Sequence, residues 1–385
     1  MWLVTKKQIL LFAVLFILFA QTFLVLDFAP FLDTLLSGMR VILFVALFVL
    51  LFVRYFYVTK LECFLLVYAL FLGGVTVALS ANIVSFTLQL FNIFSLLIVF
   101  KYFEYRDILR CSTLILSLFV YLNCFLTLIY PDAHFYLEGK PTYLLGYNYN
   151  SMGPVLLIAI IVNAMCVFYD RAFLLNLFVL SAASLLTVVF MGSMTSSVGI
   201  ALLVIYLFFA RMKGARFLLK SFLVCVLLFS VVIVFMQMEI SNEYVVWFIE
   251  DVLGKDLTFT DRARIWLEAL VLIFDSPWIG YGVRDVEWFN HHFDVLTAHN
   301  FVLTMLLKGG IVLLFILLAI IVLSVRRANR CKTPEVNVLQ FGCCALLLMM
   351  TMETYPMVQV FFLLFLNYFS NSLYLEANTE HECEV

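Results

Sequence analysis

Long apolar runs separated by short polar gaps dominate the chain. They lie at Ile9–Phe28, Val41–Phe56, Cys63–Leu79, Ile83–Phe103, Ile108–Tyr130, Pro154–Tyr169, Phe173–Met191, Val198–Ala210, Phe217–Met238, Phe301–Val325, Val336–Tyr355 and Met357–Leu375. A spanning helix takes about 20 mostly apolar residues, so the pattern predicts roughly twelve membrane-spanning helices. The runs are continuous, whereas barrel strands alternate. In hydrocarbon only helices or closed barrels satisfy every backbone polar group. The expected fold is therefore all-α: a polytopic membrane helix bundle, one integral membrane domain over residues 1–385. Two polar stretches interrupt it, 131–153 and 239–298. Lys6 and Lys7 precede the first run and no small-residue cleavage site follows it, so a retained span is expected there.

Composition agrees with this reading. The chain is 65% hydrophobic and only 12% charged, with 42 Phe and 18 Tyr. Average soluble chains carry about 25% charged residues. The mean hydropathy is +1.11. The nine Cys include no C-x-x-C pair and read as small apolar residues, neither a disulfide framework nor a metal site. The sequence shows no repeats of the kind inverted transporter halves leave, no low-complexity tract and no P-loop or Rossmann signature, so no nucleotide site is expected, nor a nucleic-acid partner.

Lys and Arg in short loops set orientation. With the N-terminus in the cytoplasm, alternation puts Lys6, Lys7, Arg54, Lys60, Lys101, Arg106, Arg110, Arg171, Arg211, Lys213, Arg216, Lys220, Arg326, Arg327, Arg330 and Lys332 inside. Both termini are then cytoplasmic. The stretches 131–153 and 239–298 become outer loops, the longer one acidic. His134, His291, His292 and His299 also fall outside. Polar chemistry is thus collected on one face, as functional loops tend to be; a merely solvated loop would look similar.

Within the longer loop, "TFTDRARIWLEALVLIFDSP" predicts an amphipathic helix near 261–275. Trp266, Ala269, Leu270 and Ile273 share a face by three-and-four spacing, and Arg262 joins it. Thr260 or Asp261 suits the cap and Pro277 the end. The helix is too short and charged to span, so it is expected at the membrane surface or the bundle mouth. Arg262 then stands at the positive end of the helix dipole, mildly unfavourable for a cation unless an anion completes the site. Backbone N–H groups with a guanidinium fork suit phosphate. A local Asp261–Arg262 pair is the alternative.

The next span opens "TAHNFVLTMLLKGGIVLLF", with Thr297 as the expected cap. A His in a first helical turn has its protonated form disfavoured, which makes His299 a candidate base. His291 and His292 read as loop residues without metal-ligand spacing. Asn148 and Asn150 in "YNYN" suit hydroxyl-rich ligands or simply a turn. Tyr136, Tyr143, Tyr147, Tyr149, Trp278, Tyr281 and Trp288 suit sugar stacking or an interfacial belt. Glu353, near the outer end of a span, is ionisable and so a functional candidate.

"DRARIWLEALVLIFDSPWIGYG" resembles the R-x-x-x-W…P-x-x-G-x-G block of the bacterial O-antigen polymerase and ligase superfamily, and "AHNFVLTMLLKGGIVLL" its H-N…G-x-x-G block. "YNYN" is similar to an upstream N-P-N stretch, and "GSMTSSVGIALLVI" to an S-R-G-like span start. Met194 stands where relatives often carry Arg, and Tyr149 replaces the middle Pro. The resemblance implies a GT-C-like lipid-sugar glycosyltransferase in the bacterial cytoplasmic membrane, acting on the outer face without cofactor or metal. Its expected substrate is an undecaprenyl-diphosphate-linked oligosaccharide, and its expected partners are chain-length regulator and flippase proteins. By match, Arg262 would bind the donor pyrophosphate and His299 would act as base or orienting group. Arg264, Arg284, Asn300, Asn148, Asn150 and Trp266 are the further candidates for pyrophosphate or sugar contacts.

The expected activity is a polysaccharide polymerase that joins repeat units of O-antigen, capsule or exopolysaccharide. A ligase of the same superfamily and a non-enzymatic flippase or exporter are the rivals. A carrier would favour charges within spans and repeated halves, whereas here polar residues cluster in the outer loops.

Overall fold

The computed structural model describes residues 5–20, 30–54, 58–137, 140–146, 148–236, 262–295, 297–331 and 333–371. The expectations for Thr260, Asp261 and Tyr147 lie outside these residues. The helices are α1 Lys6–Phe19, α2 Pro30–Arg54, α3 Lys60–Ala78, α4 Ile83–Tyr102, α5 Tyr105–Ile129, α6 Gly153–Tyr169, α7 Leu174–Phe190, α8 Met194–Phe209, α9 Ala215–Met236, α10 Arg262–Asp275, α11 Val286–Phe293, α12 Phe301–Ala328, α13 Pro334–Met350 and α14 Met357–Phe369. Strands β1 Phe135–Leu137 and β2 Lys140–Thr142 pair antiparallel. Each apolar run holds a helix. Five described helices, Lys60–Ala78, Ile83–Tyr102, Tyr105–Ile129, Arg171–Phe190 and Phe301–Ala328, are long and apolar enough to cross a membrane. α2 begins at Pro30, well ahead of Val41 where its run was expected to start.

Two helices form the centre. α6 is buried at every residue from Gly153 to Cys166, and α14 at nearly every residue. A helix apolar all round must be covered all round. α6 is enclosed by α5, α7, α8 and α13, and α14 by α4, α12 and α13. α3 and α4 are joined at one end by a buried Lys101–Glu62 ion pair.

The polar stretch after α5 forms a small hairpin where a plain loop was expected. His134 ties it to the bundle: Nδ1 accepts the Leu144 N–H at 3.1 Å and Nε2 meets Thr127 Oγ1 at 3.0 Å. Both ring nitrogens are committed to a neutral imidazole, and burial pushes its pKa down to about 4.

α12 is broken inside. Gly309 and Gly310 leave helical dihedrals, Gly310 at φ 61°. The break would orphan backbone groups, which apolar surroundings do not tolerate unless protein fills the gap. The loop after α10 fills it. Tyr281 N donates to Leu307 O at 2.7 Å and Gly282 N to Lys308 O at 2.9 Å. In return Ile311 N donates to Pro277 O at 2.8 Å and Val312 N to Trp278 O at 3.3 Å. Such close backbone approach excludes a Cβ. One built on Gly310 would lie 2.2 Å from the Trp278 carbonyl carbon, and one on Gly280 2.5 Å from Leu307 O. The same loop also docks on the end of α3 and the start of α4, with Val283 N on Thr76 Oγ1 at 3.2 Å and Asn82 N on Val283 O at 2.8 Å.

Gly310→Ala is therefore expected to destabilise the fold. Its φ of 61° with ψ −162° lies in a region essentially reserved for Gly; occupying it with Ala costs about 1–3 kcal/mol, and the displaced backbone adds to it. Gly74→Ala, where an added Cβ meets nothing within 4 Å, is expected to leave the unfolding midpoint in detergent within about a degree. Equal midpoints for the two variants would contradict the interlock.

His134 gives a pH prediction. Its folded pKa lies below the unfolded value, so its contribution is present above about pH 6.5 and lost as pH falls toward about 4. His134→Gln keeps an acceptor for Leu144 N–H but does not titrate there. The fall in unfolding midpoint between pH 7 and pH 5 is expected to be smaller in the variant than in the wild type.

Candidate functional site

The chemistry-bearing side chains meet where α10, α12 and the turn between α13 and α14 come together. α10 buries Ile265, Trp266, Ala269 and Ile273 and exposes Leu267, Val271 and Phe274. The buried face packs on α12. Trp266 fixes the register: its Nε1 donates to Ala298 O at 2.9 Å. That bond sets the start of α10 beside the start of α12, so Arg262 and His299 share one end of the bundle.

Glu353 stands between them. It occupies the turn after α13 and is only 3% exposed. His299 Nδ1 bonds its Oε1 at 2.9 Å, and Thr354 N donates to the same oxygen at 3.2 Å. Arg262 Nη2 lies 3.9 Å from Oε2, an ion pair longer than a hydrogen bond. The Arg262 side chain is 12% exposed and that of His299 20%, so the cluster is sheltered yet open on one side. A carboxylate on Nδ1 fixes the proton there and leaves Nε2 to accept one.

His299 does not lie in the first helical turn, as expected from sequence. Asn300 is the N-cap: its side chain accepts from Leu303 N, and its Nδ2 donates to Thr351 O at 2.9 Å. Thr297 Oγ1 instead takes the His299 N–H at 3.2 Å. His299 thus precedes the helix with φ 48°, a left-handed conformation uncommon for a side-chain-bearing residue. Thr297, Asn300, Trp266 and Glu353 together hold it there. Dihedrals maintained at such a cost cluster at functional sites.

A second polar row approaches from α6 and α8. Asn148 closes a turn, its Oδ1 accepting from Asn150 N at 3.0 Å and Ser151 N at 2.8 Å. Ser193 Oγ lies 2.9 Å from both Asn150 Oδ1 and Ser196 Oγ. Ser196 in turn neighbours Tyr355, which also feels the charges of Glu353 and Arg262. The row therefore joins the "YNYN" stretch and the start of α8 to the Arg262–Glu353–His299 cluster. Every member lies at an end of its helix that charge bias assigns to the outer side.

Other sequence candidates stand apart from it. Arg264 pairs with Glu268 at 3.0 Å and donates to Phe293 O, its side chain 40% exposed. Arg284 donates to Tyr281 O and Leu79 O and lies over Trp288. Trp266 and Asn300 are buried in bonds to backbone carbonyls, which makes them supports of the site. His291 and His292 are helical, in the last turn of α11, not loop residues; His292 Nδ1 bonds Trp288 O at 2.8 Å. The hydroxyls of Tyr143 and Tyr281 are spent on the carbonyls of Asp132 and Leu272.

Ser193, Ser196 and Tyr355 were not singled out in the sequence. Serines at a span start read as caps, and a Tyr beside Pro356 reads as interfacial. Only the packing of α8 on α6 and α13 reveals their company.

No curated protein matches the chain. Residues 177–318 match the family described as O-antigen ligase. The matched region contains Ser193, Ser196, Arg262 and His299, while Asn150, Glu353 and Tyr355 lie outside it. That match falls on the helix of Arg262 and the turn of His299, so this part of the chain is similar to the O-antigen ligase family.

Proposed function

We propose that this chain is a membrane glycosyltransferase that joins lipid-diphosphate-linked oligosaccharide repeat units into a polysaccharide on the outer face of the cytoplasmic membrane. The observation that supports it best is the buried carboxylate of Glu353, which has the Arg262 guanidinium at one oxygen and the His299 imidazole at the other.

The reaction asks for two things at adjacent points. The bond between the anomeric carbon and the phosphate oxygen breaks, and the diphosphate leaves with the electron pair. The acceptor hydroxyl forms the new bond to that carbon and loses its proton. Arg262, in the first turn of α10, binds the diphosphate and stabilises its growing charge. His299 Nε2 accepts the proton, and Glu353 steadies the imidazolium through Nδ1. The donor's own diphosphate bond supplies the free energy, so no nucleotide is needed.

A ligase is the second reading, favoured by the description of the matched family as O-antigen ligase. It uses the same residues and differs only in the acceptor, a finished lipid or protein in place of another repeat unit.

Arg262→Ala and His299→Ala are each expected to lower turnover by at least about a hundredfold, the scale of losing one positioned charge or one general base. Glycolipid extracts of either mutant should contain single repeat units on the lipid carrier. Full-length polymer still on the carrier would favour the ligase. Normal chain lengths in both mutants would remove the proposal. Glu353→Gln, which keeps a hydrogen-bond acceptor without the charge, is expected to lose an intermediate factor of about ten or more in kcat.

A further inference from the structure

The Arg262–Glu353–His299 cluster occupies one end of the bundle. A second charged recess lies at the other, the end to which charge bias assigns the cytoplasm. There the start of α5, the end of α6 and the 3-10 turn Arg171–Phe173 enclose a cleft whose lining includes Arg106, Arg110, Tyr169, Asp170 and Phe173. Its empty space is about 230 Å³ with the open mouth included. Pockets for whole drug-sized ligands run from about 300 to 1,000 Å³, so this one suits a small group.

Two guanidiniums and one carboxylate line the cleft, a surplus of one positive charge. Asp170 Oδ1 accepts from Ala172 N at 2.9 Å. Asp107, a second acid at the start of α5, turns to α1, where Gln8 Nε2 donates to it at 2.8 Å. Glu104, the N-cap of α5, is exposed. Arg106 lies near the Tyr169 ring, its Cζ 5.7 Å from the centroid. Each guanidinium carries five N–H donors, more than one carboxylate can use. The recess can therefore hold an anion even with Asp170 paired inside it.

The neighbouring surface says what the anion is attached to. Arg106 and Arg110 stand four residues apart and share a row of α5. The row continues into Leu114 and Leu118, both exposed. Leu174 and Leu175, directly after Phe173, are exposed as well. An apolar row leading out of a cationic recess fits a lipid, with its phosphate on the guanidiniums and its chain along the leucines. A water-soluble phosphate would gain nothing from the leucines. A choline headgroup would bring a cation next to two others.

We propose that this recess binds the phosphate of an anionic phospholipid of the cytoplasmic leaflet, with an acyl chain along Leu114 and Leu118. Basic pockets between spanning helices on that side suit such headgroups. The site is independent of the glycosyl-transfer reading.

The test uses the full-length protein, stripped of lipid in a non-ionic detergent, with dioleoylphosphatidylglycerol binding followed by native mass spectrometry. Dioleoylphosphatidylcholine and inorganic phosphate are the comparison probes. The wild type is expected to bind the phosphatidylglycerol at least about tenfold more tightly than either. Replacing both arginines, Arg106→Gln with Arg110→Gln, is expected to raise its Kd about tenfold or more. Asp170→Asn removes the carboxylate but keeps an oxygen for Ala172 N, and should tighten binding about threefold or more. A misfolded protein would not bind more tightly, so this variant decides the matter if the double variant does not fold. Equal affinity for the two lipids, an unchanged Kd in the double variant, or binding no tighter in Asp170→Asn would each overturn the site. Inorganic phosphate bound as tightly as the phosphatidylglycerol would show a soluble anion in its place and overturn the lipid assignment.

Discussion

A carboxylate at the end of a helix bundle is the constraint on which this site turns. Burying an ion costs several kcal/mol unless partners repay its lost hydration. Glu353 is buried, and its partners come from two other elements, Arg262 from α10 and His299 from the turn before α12. Removing Arg262 or Glu353 leaves an uncompensated charge, and removing His299 takes a donor from Oε1. The three therefore behave as a unit, and the position of each is set by the others as much as by its own helix.

Backbone chemistry brings them within reach. α12 is interrupted at Gly309–Gly310, and the freed carbonyls and N–H groups are satisfied by the loop that follows α10. One end of α10 is thus locked into the middle of α12, while Trp266 locks the other end to Ala298. Two attachments along a rigid helix fix both its position and its direction. The glycines of "PWIGYG" and "LLKGG" are there because the backbones touch, and a methyl group at Gly280 or Gly310 would not fit between them. A stretch that looks in sequence like an exposed loop is in effect part of the bundle.

The apolar architecture was legible because a spanning helix needs length and continuity, and both are visible along the chain. The helix beginning at Arg262 was legible for a similar reason: Trp266, Ala269 and Ile273 recur at helical spacing and are buried. His299 was harder. Thr297 and Asn300 are equally good caps on paper, and only the fold selects Asn300, which moves His299 out of the helix and into a left-handed turn. Arg264 lies two residues from Arg262, about 200° around the helix, and its geometry delivers it to Glu268. Glu353 could be noticed as ionisable, but its role depends on a contact 54 residues away in sequence. The hairpin at 135–142 gave no clear signal, because strands of three residues carry too little periodicity to stand out in a polar stretch.

The separation of tasks within the cluster is itself an argument about chemistry. A carrier for lipid-linked glycans needs a polar path along the bundle and groups that release their cargo. Here the trio sits at one end, and a guanidinium and an imidazole are set apart by one carboxylate. A diphosphate at Arg262 and a hydroxyl near Nε2 of His299 would then be neighbours, as a displacement at the carbon between them requires.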